Sequence, residues 1–535
     1  MEVGIDFGTT FSTLCYSAGR GVDGCVYEAG SVYIPTVVGF RPDNTFCIGR
    51  GALLEKDLIV YRDIKRWFGC NKFNLSKYKE RLKPSYTVVA RDWDVSIGPV
   101  VGDPSRVIPV TELAALFIKG LCEIAVQLTG VSVQRSVISV PADYNSYKRS
   151  YVYKAATTVG VGVQAVVNEP TAAGLSAFTT LSRSQIKYIL VYDFGGGTFD
   201  ASLMVVGNGY ICVIDSRGDN YLGGRDIDNK LAEYVCSQLN VPRNMIDEFS
   251  MEALKLAANA SASVLEHKIL LKTDEVRTVK FSRQTLADLA LPFIGRTLKI
   301  LVDLLDGREN ASVTAVLVGG SSVLPGVADS VAMLPPIKNV IFERETYRAA
   351  IAIGAAIYAQ SFSAAARYRL VDAVSASLSD ERRPMLAELI LPKAHPIPTK
   401  ISIPFTMPNH NTAFVLHEGE RSAIHLNERS YSAAVSLANY PKGSSQPQEV
   451  EMLEDGRVRV TMGGRILTNL VEVPPLATTY LSYPFESTEI RYLKPEVVDY
   501  FNKWSKIVRR DIAQESLSER EKIYCAHGLK SYNNL

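Results

Sequence analysis

The sequence predicts an α/β domain followed by a smaller β-rich domain and a short helical tail. Strand-like runs alternate with helical patterns from residue 1 to about residue 360, as is typical of α/β proteins. From about residue 367 to residue 483 the chain is rich in Pro, Ser, Thr and Val, and its short alternating runs indicate strands. Since 535 residues exceed the size at which a single core stops growing, two or three domains are expected.

Periodicity and breaker residues predict the individual elements. Apolar residues at helical spacing, ended by a glycine, predict a helix over 111–130, and a run closed by proline predicts a strand over 136–140. Further helices are expected over residues 150–159, 251–268 and 346–358. In the tail, Val497, Phe501, Trp504 and Val508 form one apolar stripe after Pro495, which favours a helix that packs on another part of the protein.

Two similar motifs lie almost two hundred residues apart. Asp-Phe-Gly-Thr-Thr at residues 6–10 and Asp-Phe-Gly-Gly-Gly-Thr-Phe-Asp at residues 193–200 each follow an apolar run that is typical of a buried strand. Glycine lets backbone N–H groups approach an anion, threonine hydroxyls donate to phosphate oxygens, and aspartate can hold hydrated Mg²⁺. The duplication predicts two phosphate-binding turns, one from each half of a nucleotide-binding domain.

Two further glycine-rich turns strengthen this interpretation. Residues 316–322 repeat the strand-then-glycine pattern, and residues 218–226 add glycines and carboxylates. Any one of them alone is more often an ordinary turn. Together they predict a nucleotide cradle.

The composition of the chain limits the kinds of binding site and catalytic group that can be expected. A net charge of +2 gives no reason to expect binding to nucleic acid or to a membrane surface, and the longest apolar run is too short to span a bilayer. The eight cysteines include no Cys-x-x-Cys pair, which argues against a zinc site and a disulfide scaffold and fits a reducing compartment. Because no histidine precedes His267, we expect carboxylates, a lysine, hydroxyls and a metal to carry any catalysis in the first half.

The motifs closely resemble those of a known family. Residues 6–12, 140–142, 168–173, 193–200 and 218–228 are similar, in the same order, to the ATPase signatures of the seventy-kilodalton heat-shock chaperones. Residues 397–400 and 418–421 also resemble the substrate-binding domain of that family. The length and the divergent C-terminus most resemble the homologues encoded by plant closteroviruses.

The resemblance implies an actin-like ATPase fold whose two lobes close on Mg-ATP. The expected domains are an ATPase domain over residues 1–364, a linker over 365–374, a β-rich substrate-binding-like domain over 375–483 and a helical segment over 484–535.

The resemblance also assigns roles to individual residues. The implied catalytic residues are Lys65, Glu169, Asp193 and Thr198. Asp6 and Asp193 would hold Mg²⁺ through water, and Pro141 and Arg149 would relay the nucleotide state toward the linker. The implied phosphate- and nucleotide-binding residues are Gly8, Thr9, Thr10, Gly195, Gly196, Gly197, Gly223, Gly224, Gly319 and Gly320.

The sequence departs from the family where the adenosine is held. In place of an acid and two basic residues, the alignment puts Asn259, Ala262 and Ser263; Val323 replaces an arginine, and Arg348 replaces an acid. We therefore expect weaker or less base-selective nucleotide binding. The linker lacks an unbroken leucine run and the chain end lacks an acidic tail, which puts standard lid function and co-chaperone partnership in doubt.

The resemblance implies a slow viral chaperone-like ATPase that acts in assembly of the virion tail and in cell-to-cell movement. Its expected partners are viral capsid or minor virion proteins and host co-chaperones, with nucleic acid contacted only indirectly, in host cytoplasm, virions and plasmodesmata. The alternatives are a structural virion protein with little turnover, a cellular heat-shock chaperone, or a small-molecule kinase on the same fold.

Overall fold

The structure is a computed structural model, and it describes residues 1–17, 22–26, 28, 31–55, 57–180, 187–207, 210–246, 248–271, 275–342, 347, 349–362, 369–383 and 385–487. The predicted helical stripe at residues 497–508 lies outside the described residues. We call residues 1–180 lobe I, residues 187–342 lobe II, residues 369–466 the β-rich region, and residues 471–487 the strap.

Lobe I is built on a mixed sheet. Its strands are β1 (Glu2–Asp6), β2 (Phe11–Ser17), β3 (Gly24–Cys25), β4 (Ile34–Pro35), β5 (Val38–Phe40), β6 (Phe46–Ile48), β7 (Ile59–Tyr61), β8 (Val88–Ala90), β9 (Val95–Ile97), β10 (Ile108–Pro109), β11 (Arg135–Val140) and β12 (Gly162–Asn168). Its helices are α1 (Gly49–Leu54), α2 (Leu75–Leu82), α3 (Val110–Thr129), α4 (Ser146–Thr158) and α5 (Glu169–Thr180). The main sheet has the order β12-β11-β1-β2-β3, and β5, flanked by β6 and β7, forms a separate small sheet.

Lobe II repeats this plan. Its strands are β13 (Tyr188–Phe194), β14 (Phe199–Gly207), β15 (Tyr210–Asp219), β16 (Leu265–Leu270), β17 (Val276–Phe281), β18 (Val313–Val318) and β19 (Ile337–Ile341). Its helices are α6 (Gly224–Leu239), α7 (Glu248–Ala260), α8 (Arg283–Leu305) and α9 (Val327–Ala332), and α10 (Ala350–Ser361) follows. In both lobes a central strand pairs with one parallel neighbour and one antiparallel neighbour, β1 with β11 and β2, and β13 with β18 and β14.

The β-rich region joins lobe II through a strand. Its strands are β20 (Arg369–Ala373), β21 (Leu378–Arg383), β22 (Leu386–Leu391), β23 (Pro396–Ile397), β24 (Thr399–Thr406), β25 (Thr412–Glu418), β26 (Glu428–Val435), β27 (Ser445–Met452), β28 (Val458–Met462) and β29 (Arg465–Ile466), and the short helix α11 (Thr478–Leu481) lies in the strap. β20 pairs in parallel with β15 and antiparallel with β23, so it extends the lobe II sheet. Two four-stranded sheets, β22-β21-β25-β26 and β24-β27-β28-β29, enclose a separate apolar core.

Helix α10 packs closely on lobe I. It is buried along nearly its whole length, and small residues let it approach β1 and α5. A Cβ on Gly4 would lie 2.1 Å from the backbone N of Ala356, and a Cβ on Gly354 would lie 1.8 Å from the carbonyl O of Ala172. Glycine is therefore required at both positions by backbone contact.

Most of the predicted elements agree with the structure, and one is wrong in part. The predicted helix 111–130 is α3, which ends where Gly130 takes a φ of 70°, and the predicted strand 136–140 is β11. The prediction of one helix over 251–268 is wrong beyond Ala260. There the chain turns and enters β16, whose alternating side chains pair with β17. The structure starts α10 at Ala350 and α4 at Ser146.

Two findings concern cysteines and membranes. A disulfide joins Cys15 of β2 to Cys25 of β3, a pair that the scattered cysteines of the sequence did not predict. None of the described helices is both long and apolar enough to cross a bilayer.

We predict that Gly354→Ala destabilises the protein whereas Gly295→Ala does not. The added methyl group of Gly354→Ala collides with the α5 backbone, and overpacking of this kind costs about 3 kcal/mol. At Gly295, in α8, a Cβ meets nothing within 4 Å, and alanine in a helix is favoured by about 1 kcal/mol. Thermal melting of the full chain should show a lower midpoint for Gly354→Ala only. Equal midpoints for the two variants would contradict the close packing of α10.

Candidate nucleotide-binding site

The two predicted phosphate turns face one cleft between the lobes. β1 ends at Asp6 and β13 at Phe194, and the turn after each strand opens into a cavity of about 370 Å³. Of the predicted site residues, those that line this cavity are Asp6, Gly8, Thr9, Thr10, Lys65, Glu169, Asp193, Gly195, Gly196, Gly197, Thr198, Gly224, Gly319 and Gly320. The structure thus brings these residues together.

The glycines of the cleft are packed backbone against backbone. A Cβ on Gly223 would lie 2.4 Å from the backbone N of Gly197, so Gly223 supports the turn from behind. A Cβ on Gly319, whose φ is 84°, would lie 2.4 Å from Oδ1 of Asp193. A side chain at Gly223 would displace the Gly196–Gly197 turn, and one at Gly319 would displace the carboxylate of Asp193.

Lys65 and Glu169 form an ion pair inside the cleft. Lys65 lies in the 3-10 helix Ile64–Trp67, and its side chain is 2% exposed. Its Nζ donates to Oε1 of Glu169, at the start of α5, over 2.5 Å. A buried lysine with one carboxylate partner can place positive charge beside a phosphate while the carboxylate accepts a proton or orients water.

Buried carboxylates surround this pair. Burial, and then the charge of Glu169, raise the pKa of Asp6 to about 7, although Lys65 opposes them. Burial, and then Glu169 and Asp6, raise the pKa of Asp193 well above its ordinary value. Burial and Asp143 do the same to the pKa of Asp200. The cleft therefore concentrates negative charge that added positive charge would stabilise.

The negative charge of the cleft suits the binding of a divalent cation together with a nucleotide. Oxygen ligands and a hydrated ion are the usual environment of Mg²⁺. The described residues include no cluster of three or more His, Cys, Asp or Glu side chains that could enclose a metal directly. The hydroxyl of Thr10 is buried in the cradle and has no hydrogen-bond partner there. These features suit an ion held through water and a phosphate that the turn would bind.

Pro141 and Arg149 lie outside the cavity, and Arg149 is at the junction with the β-rich region. The carbonyl O of Pro141 accepts from the backbone N of Tyr144, and the next residue, Ala142, donates its N–H to Asp200 over 2.9 Å. Arg149 is buried and donates to the carbonyl oxygens of Tyr144 and Val166 and to Asn168.

Acidic side chains of the linker and the β-rich region reach lobe I near this arginine. Asp372 of β20 accepts from the side-chain amide of Asn168 over 2.9 Å. Glu418 of β25 accepts from the N-cap region of α4 through Ser146. Burial lowers the pKa of Arg149, and the negative charges of Asp372 and Glu418 oppose that shift. A continuous buried polar network therefore connects α4, β12, β20 and β25.

The end of the cleft that is expected to hold the nucleotide base, which we call the base end, differs from the prediction. α7 ends at Ala260, so Ala262 and Ser263 lie past the helix in an exposed turn. The amide of Asn259 donates to the carbonyl O of Val323 over 3.0 Å. The predicted departure at Arg348 lies outside the described residues. This end of the cavity is instead lined by Asp228, Asn229, Glu252, Lys255, Leu256, Ser321, Tyr347 and Ile351.

Contacts that the sequence did not reveal close the cleft from one lobe to the other. Arg225 of lobe II forms an ion pair with Asp63 of lobe I, and Asn220 donates to Asp143. Burial opposes ionisation of Asp63, but Arg225 and the nearby Arg62 and Arg66 outweigh it and lower its pKa. The backbone of Asp63 has a left-handed φ of 66°, which turns the chain at the contact with Arg225. No local sequence signal connects residues so far apart.

The fold and cleft define a two-lobed α/β nucleotide-binding protein. A family model described as Hsp70 protein matches residues 2–453. The chain belongs to the Hsp70 family, and the family implies the actin-like ATPase fold for its two lobes.

Several relatives cover most of the chain. It is 33% identical over 532 residues to the movement protein Hsp70h of Grapevine leafroll-associated virus 3 (isolate United States/NY1), covering 98% of this chain and 96% of that protein. It is 31% identical over 513 residues to the movement protein Hsp70h of Beet yellows virus (isolate Ukraine), with 91% and 85% covered. A chaperone protein HscA homolog of Rickettsia africae (strain ESF-5) is 32% identical over 429 residues, with 79% and 67% covered. The resemblance to the closterovirus homologues is thereby confirmed.

We predict that breaking the Asp63–Arg225 pair speeds nucleotide release. Removing one partner leaves the other charge in a mostly buried position, and a loss of about 1.4 kcal/mol corresponds to about tenfold faster dissociation. Chase of a fluorescent ADP analogue from Asp63→Asn and from Arg225→Gln should show this change. Arg296→Gln, which breaks an exposed pair with Asp219 within lobe II, is the matched control. Unchanged dissociation from both cleft variants would show that the pair does not hold the lobes together.

Proposed function

We propose that this chain binds and hydrolyses Mg-ATP and acts in virion tail assembly and cell-to-cell movement of a plant virus. The observation that carries the ATPase part is the Lys65–Glu169 ion pair, buried at 2.5 Å between the two phosphate turns. The similarity to viral movement proteins along 98% and 91% of the chain supports the viral role.

The chemistry needs positioning and charge more than covalent catalysis. Phosphoryl transfer spreads negative charge over the transferred group, and groups fixed in advance around it lower the barrier. Backbone N–H groups of residues 9–10 and 196–198 would bind phosphate oxygens, Lys65 would offset the developing charge, and Glu169 would orient the attacking water. Asp6 and Asp193 would hold Mg²⁺ through water, and the ion would supply Lewis-acid neutralisation of the phosphates.

The base end supports weak discrimination between nucleotides. Asn259 is engaged with the Val323 backbone, and the side chains of Ala262 and Ser263 lie beyond α7. Lys255, which lines this end, is paired with Asp228 over 2.7 Å. Binding of ATP would then depend on the phosphates, and GTP would compete with it.

The partners proposed for this activity are viral capsid or minor virion proteins and host co-chaperones, with nucleic acid reached only through the virion. The protein would act in the host cytoplasm, in virions and at plasmodesmata. The β-rich region, with its own core, is the part we propose for protein contacts.

A structural virion protein with little turnover is the second candidate. The observation that favours it is the lack of a charged clasp from Asn259, Ala262 and Ser263 at the base end, because weak nucleotide binding would limit hydrolysis. The third candidate, a cellular chaperone, draws on the similarity to the rickettsial HscA homolog.

We predict that the purified full-length chain hydrolyses Mg-ATP in a single turnover and that Lys65→Met and Asp193→Asn lower the rate by about a hundredfold or more, as loss of transition-state charge stabilisation does. Mg-GTP should be hydrolysed at a similar rate. Lys230→Met, at an exposed lysine of α6 paired with Glu233, is the matched control.

Absence of turnover in wild-type protein whose circular dichroism shows it folded would reject the ATPase and favour the structural candidate. In a virus carrying Lys65→Met and a fluorescent reporter, infection should stay in single cells, and spread equal to that of wild type would separate movement from hydrolysis.

A further inference from the structure

The strap returns from the β-rich region to lobe I. Val471 and Val473 are buried in the apolar core of lobe I, and the aromatic residues Tyr480, Tyr483 and Phe485 pack against that core. Each contact joins positions more than three hundred residues apart in sequence. The strap therefore ties the β-rich region to lobe I, beginning beside α4 and ending against α3 and the small sheet.

The end of the strap pairs with the edge of a lobe I sheet through a single β-bridge. In the small sheet, β5 lies between β6 and β7, so β6 has a free edge. The backbone N of Phe46 donates to the carbonyl O of Pro484 over 3.0 Å, and the backbone N of Glu486 donates to the carbonyl O of Phe46 over 2.9 Å. Phe485 and Phe46 form a parallel bridge. This pairing is the main-chain mode by which extended peptides bind a sheet edge.

Helix α3 supplies the opposite wall. Nζ of Lys119 donates to the carbonyl oxygens of Leu481, over 3.0 Å, and Tyr483, over 3.1 Å. The next residue, Gly120, leaves room for the ring of Phe485, because a Cβ there would lie 3.1 Å from its Cε2. The lysine thus holds the backbone of the strap, and the glycine admits an aromatic side chain.

Aromatic and charged contacts define which side chains fit. Tyr480 and Tyr483 pack on Phe40 with ring centroids at 5.5 and 6.0 Å, and the Phe485 and Phe46 centroids are 5.4 Å apart. The guanidinium of Arg106 lies 5.3 Å from the ring of Tyr480. These rings are the anchors by which such a groove selects its ligand.

We propose that the edge of β6 and the facing side of α3 form a docking groove for peptides of the pattern Tyr-x-x-Tyr-Pro-Phe, bound as one helical turn followed by an extended segment, and that the strap of the same chain is its built-in occupant. The Lys119 side chain binds the carbonyl oxygens of the helical turn, the Phe46 backbone binds the extended segment, and the aromatic anchors give selectivity. Because the strap is covalently attached, its local concentration is high, and it excludes free peptides of the same pattern. While it is seated, the β-rich region stays on lobe I.

The test uses a fluorescein-labelled synthetic peptide with the sequence of residues 476–487 and the full-length protein. A full-length variant that carries Tyr480→Ser and Phe485→Ser has a weakened strap and should bind the peptide about tenfold or more tighter than wild type, because the groove is vacated. Adding Lys119→Met to that variant should weaken binding about tenfold, as the loss of two charge-assisted hydrogen bonds predicts. Adding Lys230→Met instead should change nothing.

Equal peptide binding by wild type and the strap variant, with both shown folded by circular dichroism and thermal melting, would overturn the proposal. Hydrogen exchange gives a second test that needs no added peptide. The amides of Phe46 and Glu486 should be protected and should lose protection in the strap variant, and unprotected amides in wild type would also overturn it. A wild-type dimer that the strap substitutions dissociate would place the strap in a second copy and overturn occupancy within the same chain.

Discussion

The buried negative charge between the lobes is the constraint on which the rest of the site depends. Asp6 is the last residue of β1 and Asp193 the second-last residue of β13, the central strands of the two lobes, and Glu169 begins α5 beside them. Lys65 is paired with Glu169, so it offsets only part of this charge, and the pKa of Asp6 is raised to about 7. Carboxylates do not stay ionised in such a place without added positive charge. The site is therefore built for a cation and the phosphates that accompany it.

Hydrogen bonds and charge contacts also connect the cleft to the β-rich region. Ala142 donates to Asp200 on one side, and Arg149 lies near Asp372 and Glu418 on the other. A Cβ on Gly456 of the β-rich region would lie 2.6 Å from Cδ of Arg149, so the arginine side chain packs directly on the backbone of the β-rich region. Together with the strap, this junction holds the β-rich region at two separate places on lobe I.

The sequence predicted the parts of the site that depend on local patterns. A strand followed by Asp-Phe-Gly can be recognised from the sequence alone. Two such motifs imply two central strands whose ends meet. The burial of Lys65 was accessible only through family resemblance, because an isolated lysine is ordinarily a surface charge. β16 was missed because Leu265–Leu270 follows a strong helix without a proline or glycine to mark the change. The Asp63–Arg225 pair and the contact of Phe46 with Phe485 arise from tertiary packing and leave no local signal.

The measurement that tests the central claim most directly is the binding of a non-hydrolysable ATP analogue by titration calorimetry, in Mg²⁺ and in EDTA. If the buried carboxylates require added positive charge, affinity should fall by about a hundredfold without Mg²⁺, a difference of about 2.7 kcal/mol. Asp6→Asn together with Asp193→Asn should reduce that difference. Equal affinity with and without the ion would contradict the account, because the charge of the cleft would then not govern what it binds.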